Sequence, residues 1–159
     1  MTTTVTARNK ENLRALLQDA MPNGRLDLVE QLVAPECVTR RAGFANLFVA
    51  RGGVIPEKGN FLDWMKAGWE PLTKALEMQH VEVDQIVGEG DRAMIHFRMT
   101  VKHIGEFVGV PASGRTITWE EIGIARFADD GRMTELWFMC EELKLALEMG
   151  LTLHPELQA

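Results

Sequence analysis

The sequence predicts an α+β fold in which three to four helices pack over one curved antiparallel sheet. Three segments in the second half have the alternating or β-branched and aromatic character of strands with one buried face: Arg92–His103, Thr116–Phe127 and Met133–Cys140. Asp129-Asp130-Gly131 is a tight-turn sequence that joins the last two as a hairpin. Helical patterns precede the strands instead of alternating with them, which is typical of α+β architecture.

The first half of the chain predicts helices that end at turn-forming residues. Apolar residues at helical spacing predict Val5–Met21, with Thr6 as the candidate N-cap, then Arg25–Ala34 and Phe61–Glu77. Pro71 is expected to kink or restart the last of these. The remaining elements are predicted from shorter patterns: strands at Cys37–Arg40 and Val81–Val87, and a terminal helix at Glu141–Leu151 closed by Gly150.

One stretch without a regular pattern, residues 42–60, is predicted to be a loop that acts as a lid. Glycines and a proline interrupt it, yet it carries apolar side chains that include Phe44 and Phe48. Long loops in compact domains are often lids or binding loops, and the alternative is a disordered surface insertion. We expect residues 1–159 to form a single domain with a short polar tail at residues 1–4.

Charge and composition restrict the function classes. The net charge of −6 and the pI near 5.2 argue against a nucleic-acid partner, which would require a basic patch. Cys37 and Cys140 lie far apart without metal-ligand spacing, so neither a zinc site nor a disulfide framework is indicated. No stretch is apolar enough to span a bilayer, and no signal-peptide h-region is present. We therefore expect a cytoplasmic protein with no membrane partner and no metal.

A motif in the C-terminal half carries a family resemblance. Its elements are His103-x-Gly105-Glu106-Phe107-x-Gly109-x-Pro111-x-x-Gly114-Arg115, Arg126-Phe127, Asp130-Gly131-Arg132-Met133, Glu135 and Trp137. This pattern resembles the SnoaL-like polyketide cyclases, or ester cyclases, of the nuclear-transport-factor-2-like superfamily. The resemblance implies a cone whose sheet wraps around an apolar pocket, a homodimer that forms through the outer face of the sheet, and cyclisation of a polyketide-type molecule without a cofactor.

The chain departs from that family where the chemistry is expected. The resemblance places the family's acid/base aspartate on the last strand, at the position of Phe138, and its assisting histidine at or next to Gly123. The limonene-epoxide-hydrolase branch also needs the aspartate that Phe138 replaces. The chain contains no tyrosine, so phenolic acid catalysis is excluded.

Other polar residues are therefore the candidate catalytic groups. We expect the hairpin to bring His96 near Gly123 and Arg98 near Glu121, so that His96, Arg98 and Glu121 converge in the pocket. A histidine beside a desolvated carboxylate is a plausible acid/base pair, because burial and the partner move both pKa values. The alternative is structural: a cross-strand ion pair between Arg98 and Glu121, with His96 hydrogen-bonded within the sheet.

The apolar candidates are large side chains that can line a small-molecule pocket: Trp119, Phe138, Trp64, Trp69 and Phe48. Ordinary core packing is the alternative for each of them. His103 is interpreted as structural, bound to the Gly105–Gly114 loop, and Arg40 and Arg41 can reach an anionic group at the pocket mouth.

These observations favour an enzyme, a cyclase or isomerase that acts on an apolar polyketide-like or polycyclic molecule. Glu121 and His96 would be its acid/base groups, and Arg98 would anchor or polarise a carbonyl oxygen. Two alternatives stay open: a non-catalytic ligand-binding or oxygenase-accessory module, favoured by Phe138, and a dimeric scaffold that binds no ligand.

Overall fold

The computed structural model describes residues 2–40, 45–54 and 56–154, and all their side chains except those of residues 2, 3, 69 and 70. The α-helices of these residues, numbered in chain order, are α1 Thr2–Ala15, α2 Leu26–Leu32, α3 Ala45–Ala50, α4 Phe61–Ala75 and α5 Glu142–Met149. The strands are β1 Val33–Arg40, β2 Lys58–Asn60, β3 Leu76–Glu89, β4 Arg92–His103, β5 Thr116–Phe127 and β6 Met133–Cys140. The α+β prediction is confirmed, with five described helices instead of three to four.

The six strands form one curved sheet in the order β2-β1-β6-β5-β4-β3. Neighbouring strands are antiparallel except β1 and β6, which run parallel with Thr39 beside Leu136. The prediction of a wholly antiparallel sheet is therefore wrong at this pair. Hairpin turns join the last strands and impose antiparallel pairing on them. No hairpin joins β1 to β6, so no turn sequence indicates the direction in which these two strands pair.

The long strands were predicted well and the shorter elements less well. β4, β5 and β6 have the predicted bounds, because side-chain alternation matches the pleat along β4 and β5 and from Leu136 onward in β6. The first helix, α1, begins at Thr2. Thr6 therefore lies inside this helix and is not its N-cap, and residues 2–4 are helical and do not form a tail. α4 continues through Pro71 without a break, although proline removes one helical hydrogen bond.

The predicted lid loop, residues 42–60, contains regular structure. α3 and the short strand β2 lie within it, while residues 42–44, including Phe44, and residue 55 lie outside the described residues. Asn60, at the end of β2, is the N-cap of α4: its Oδ1 accepts a 3.0 Å hydrogen bond from the Asp63 amide. Its Nδ2 donates to the Pro35 carbonyl at 2.7 Å, which ties the start of α4 to β1.

The core lies between the helices and the inner face of the sheet. α1 continues into a π-helical segment, Leu16–Ala20, in which the Met21 amide donates to the Leu16 carbonyl at 2.9 Å. Leu13, Leu16 and Leu17 pack from this region onto inward residues of β4 such as Ile95 and Phe97. Full burial of each such side chain contributes roughly 1.5–3 kcal/mol to folding, so this layer fixes the helices over the sheet.

Candidate active site

A cavity of about 400 Å³ opens between the inner face of the sheet and the helices. The sheet contributes Thr39, Arg40, Phe97, Met99, Glu121 and Phe138, and the helical side contributes Leu17, Met21, Pro22, Ala45, Phe48, Phe61, Trp64, Met65, Ala67, Gly68 and Leu72. Most of these side chains are apolar. A mostly apolar cavity with a few polar groups is the usual form of a small-molecule site.

Glu121 places a carboxyl group in the wall of this cavity. β5 alternates strictly, and Glu121 lies on its buried face with Trp119 and Gly123, so the side chain is only 7% exposed. Trp119 Nε1 donates a 2.7 Å hydrogen bond to Glu121 Oε1. The carboxyl is thus held in place from within its own strand.

The surroundings of Glu121 change its acidity. Burial, which penalises the charged form, raises the pKa of Glu121 from 4.5 to about 7. The hydrogen bond from Trp119 acts in the opposite direction, and the negative charge of Glu142 adds to the increase. A carboxyl group with a pKa near 7 can both accept and donate a proton at neutral pH, as a general acid/base must.

His96 and Arg98 lie on the other face of the sheet, so the predicted convergence with Glu121 is wrong. The β4-β5 ladder pairs His96 with Ile122 and Arg98 with Glu120, one residue away from the predicted register. Because side chains alternate between faces, a shift of one residue moves a side chain to the opposite side of the sheet. The ion pair between Arg98 and Glu121, predicted as the alternative, is excluded by the same register.

On this outer face the two residues belong to a network of charged side chains. His96 Nε2 lies 2.9 Å from Glu120 Oε2, and its Nδ1 lies 3.9 Å from Asp84. Arg98 binds Asp84 through two hydrogen bonds, of 3.0 and 2.7 Å, and Glu82 at 3.1 Å. The Arg98 guanidinium holds the pKa of Asp84 below its usual range. On this surface, His96 and Arg98 thus form ion pairs with carboxylates of neighbouring strands and do not take part in the cavity.

The apolar candidates divide into three groups. Phe138, Trp64 and Phe48 line the cavity. Trp119 is buried and is not among the residues that line the cavity, and its indole donates a hydrogen bond to Glu121. The side chain of Trp69 lies outside the described residues. Substrate binding by these residues stays a prediction.

Phe138 and Gly123, the two positions at which the family's acid/base groups were expected, are direct partners across the β5-β6 ladder. The Phe138 ring lies against Gly123, because a Cβ built on the glycine would be 2.8 Å from Phe138 Cε1. One aromatic ring thus occupies the place of the expected carboxylate and covers the place of the expected histidine. The cavity's carboxyl group, Glu121, comes from β5 and lies opposite Cys140.

Two polar residues of the cavity wall were not singled out as catalytic candidates. Thr39 is buried in the cavity wall, and β1 places it there because its side chain alternates inward with Cys37. Arg40 follows it on the exposed side, with its guanidinium carbon 5.5 Å from the centre of the Trp137 ring. Arg41, the other residue proposed for the mouth, lies outside the described residues. The inward alternation of β1 was the signal that could have identified Thr39.

His103 has the structural role expected for it. It is fully buried at the end of β4, where its Nδ1 lies 3.0 Å from Ser113 Oγ and accepts from the Ser113 amide at 3.3 Å. These contacts close the loop between β4 and β5.

Thiol and metal chemistry receive no support from the described residues. Burial raises the pKa of Cys37 to about 12, and burial together with Glu121 raises that of Cys140 as well. Both thiols are therefore uncharged at neutral pH and poor nucleophiles. Within the described ranges, no group of three His, Cys, Asp or Glu side chains is arranged to hold a metal ion. Nor is any helix of the described chain long and apolar enough to cross a membrane.

Comparison with known proteins identifies relatives of this fold. The family model for SnoaL-like polyketide cyclases matches residues 11–149. Among solved structures, a proposed SnoaL-like polyketide cyclase from Jannaschia sp. CCS1 is 18% identical, with a TM-score of 0.76 and coverage of 94% of this chain and 96% of that one. No curated protein matches the sequence significantly.

Two Streptomyces proteins are similar in structure. AclR from Streptomyces galilaeus, a proposed hydroxylase, is 24% identical, with a TM-score of 0.72 and coverage of 95% of this chain and 87% of that one. IdmH from Streptomyces antibioticus, a proposed polyketide cyclase, is 22% identical, with a TM-score of 0.74 and coverage of 90% and 99%. At these identities the structural matches establish the fold.

Proposed function

The chain belongs to the SnoaL-like polyketide cyclase family, and from this membership and the cavity we propose that it is a cofactor-independent cyclase or isomerase. Its substrate would be an apolar polyketide-like or polycyclic small molecule, since the wall of the cavity is largely aliphatic and aromatic. The observation that carries the proposal is the buried carboxyl of Glu121, which has a pKa of about 7 inside that cavity.

In the proposed reaction, ionised Glu121 removes a proton from a carbon next to a substrate carbonyl. The C–H electron pair becomes an enolate, and the enolate carbon forms a bond to a second carbonyl carbon of the same molecule. The new alkoxide then takes the proton back from Glu121. For an isomerisation, the same proton returns to a different carbon. Each cycle leaves the carboxyl as it began, so no cofactor is consumed.

The apolar walls would supply the remaining catalysis. A flexible substrate held in a folded shape reacts as if its two ends were at very high concentration, which can lower the barrier substantially. Phe97 and Phe138 lie on the strands either side of Glu121 and would hold the reacting end. Trp119 would keep Oε1 occupied, which leaves Oε2 as the oxygen assigned to proton transfer.

The test is turnover of open-chain polyketone esters by the purified protein. Product is followed by liquid chromatography coupled to mass spectrometry, because the cyclised product separates from the open chain on the column and its mass is either unchanged or lower by one water. We expect Glu121→Gln to reduce turnover by at least about a hundredfold, the usual contribution of a general base, while Glu120→Gln on the outer face retains it. A Glu121→Gln variant as active as the wild type would refute the acid/base assignment.

The rival proposal is a non-catalytic binding or oxygenase-accessory module. Phe138 supports it, because the family's usual catalytic position carries no ionisable group, and the structural similarity to a proposed hydroxylase is compatible with it. Ligand binding without turnover, unaffected by Glu121→Gln, would favour this alternative.

We also propose that the protein is a homodimer formed through the outer face of the sheet. Two adjacent rows of the ladder are apolar there: Ile122 beside Met139, and Met94 and Trp137 on either side of Ile124. Met139 is 60% exposed, and Met94, Ile122 and Trp137 are also exposed. An apolar surface that spans three strands is a typical association surface.

A further inference from the structure

We propose that Phe138 determines which substrates the site admits, because its ring lies over Gly123 and narrows the cavity beside Glu121. The substrates selected are those whose reacting carbonyl lies at a slim, unbranched end. This inference rests on the proposed function, since it assumes that the reacting end reaches Glu121.

The Phe138 ring occupies the space beside Gly123 that a side chain at position 123 would need. A Cβ at position 123 would lie 2.8 Å from Cε1 and 3.0 Å from Cδ1 of the ring, and 3.1 Å from Cγ2 of Ile95. Real Cβ atoms essentially never approach other atoms more closely than 3.0 Å. The ring therefore fills the space that any larger residue at position 123 would need.

Backbone geometry does not explain this glycine. Gly123 lies in the middle of β5 and is not among the residues with positive φ. Glycine in a strand interior usually costs stability and marks a close approach of another group. Here the approaching group is the Phe138 ring, so the two residues form one packing unit.

The Phe138 ring belongs to the sheet side of the cavity wall. Phe97, Thr39 and Glu121 are buried lining residues of that same side, whereas Phe48, Ala67 and Gly68 are exposed lining residues of the helical side. Phe97 is the ladder partner of Glu121 on β4, and Phe138 lies one inward position from Glu121's partner Cys140 on β6. The strand that carries Glu121 thus lies between two strands that each contribute an aromatic ring to the cavity wall, and a substrate that reaches the carboxyl is expected to contact both rings.

The experiment compares two isomeric ketones as probes, a straight-chain methyl ketone and its isomer with a tert-butyl group on the carbonyl carbon. Isothermal titration calorimetry gives the affinity ratio of straight to branched ketone. We expect the wild type to bind the straight-chain isomer more tightly. Phe138→Ala should lower the affinity ratio about tenfold, which is the low end of the discrimination that one methylene group provides in a hydrophobic pocket. Circular dichroism and thermal melting establish that the variant is folded.

Two further variants make the test specific. In the double variant Gly123→Leu with Phe138→Ala, the leucine refills the vacated space from the opposite strand, so the wild-type ratio should return. Trp64→Ala at the other side of the cavity should weaken both ketones and leave their ratio unchanged. If Phe138→Ala does not fold, Phe138→Leu should lower the ratio in the same direction by a smaller factor.

An unchanged ratio in a folded Phe138→Ala or Phe138→Leu protein would overturn the inference, as would an equal change caused by Trp64→Ala. The outcome is independent of catalysis, because binding is measured without turnover. If Glu121 is not the catalytic group, Glu121→Gln stays active and the ratio still depends on Phe138. If Phe138 does not select substrates, turnover still depends on Glu121 while the ratio does not respond.

Discussion

Trp119 Nε1 and Glu121 Oε1 are 2.7 Å apart, and the two residues are joined by a hydrogen bond within one strand. Residues two apart on a strand point to the same face, so the indole and the carboxyl are neighbours by the pleat alone. The indole donor stabilises the ionised carboxylate, while burial stabilises the neutral acid. The acidity of the candidate catalytic group therefore depends on a residue that does not line the cavity.

Trp119→Phe should raise the pKa of Glu121 further. The phenyl ring fills most of the indole volume but donates no hydrogen bond, so burial acts on the carboxyl unopposed. The titration of Glu121, measured by the infrared carboxylate band, should shift to higher pH, and the pH–rate profile should shift with it. Trp64→Phe, which removes an indole on the helical side of the cavity, is the control. A Glu121 titration at the same pH in Trp119→Phe and wild type would contradict this assignment.

The stability of the wild type should fall as the pH rises between about 4.5 and 7. The pKa of Glu121 is raised on folding from 4.5 to about 7, so the folded state holds the proton more tightly than the unfolded chain. Stabilisation by that proton is fully present below pH 4.5 and is lost as the pH passes 7, a change of roughly 3 kcal/mol.

Urea unfolding of wild type and Glu121→Gln at a series of pH values measures this effect. The glutamine variant has no charge to bury, so its unfolding free energy should exceed that of the wild type increasingly as the pH rises through this window. Glu120→Gln is the matched control from the exposed face. A constant difference between Glu121→Gln and wild type from pH 4.5 to 7 would show that Glu121 is ionised in the folded protein throughout.

The sequence predicted the strands better than their register. β4 and β5 were predicted with the correct bounds, because alternation over twelve residues is a strong signal. Their pairing depends instead on the loop between them, in which the His103 amide donates to the Arg115 carbonyl at 2.9 Å. The side-chain contacts of His103 with Ser113 help to hold that loop. No residue pattern specifies the length of such a loop to one residue, and one residue separates Glu120 on the surface from Glu121 in the cavity.

The candidate site could be predicted in part for similar reasons. Large apolar side chains indicated an apolar cavity, and Phe138, Trp64 and Phe48 do line it. The helical wall that includes Leu17 and Met21 depends on how the π-helical segment after α1 packs on the sheet, which is tertiary information. The contact between Trp119 and Glu121 could have been predicted, because residues two apart on a strand lie on the same face. Trp119 was instead predicted to line the pocket.

Asn60→Ala should destabilise the protein by about 2 kcal/mol. It removes the N-cap of α4, typically worth about 1 kcal/mol, and also the hydrogen bond from Nδ2 to the Pro35 carbonyl. Asn60→Asp is the matched variant, because it keeps the capping oxygen and loses the Nδ2 donor, so it should recover about half of the loss. Chemical denaturation gives both values. Equal losses in the two variants would show that the cap contributes little.

Met139→Asp should convert the proposed dimer to a monomer without unfolding it. The side chain is 60% exposed on the outer face, so the charge is solvated in the monomer but would be buried in an interface. Sedimentation equilibrium measures the mass, and thermal melting checks the fold. Leu153→Asp, at a similarly exposed apolar position beyond α5, is the control and should leave the mass unchanged. A wild-type protein that sediments as a monomer would contradict the proposed interface.

His96→Ala and Arg98→Ala should each leave turnover within about twofold of the wild type. Both side chains lie on the outer face, where they bind Glu120, Asp84 and Glu82 and have no access to the cavity wall. Ion pairs that are this exposed to solvent contribute little to stability, so only small losses of stability are expected instead. The measurement is kcat and KM for each variant beside Glu121→Gln, at a temperature well below the unfolding midpoint. A hundredfold loss of kcat in either variant, with dimer mass and fold intact, would show that the outer face takes part in the reaction after all.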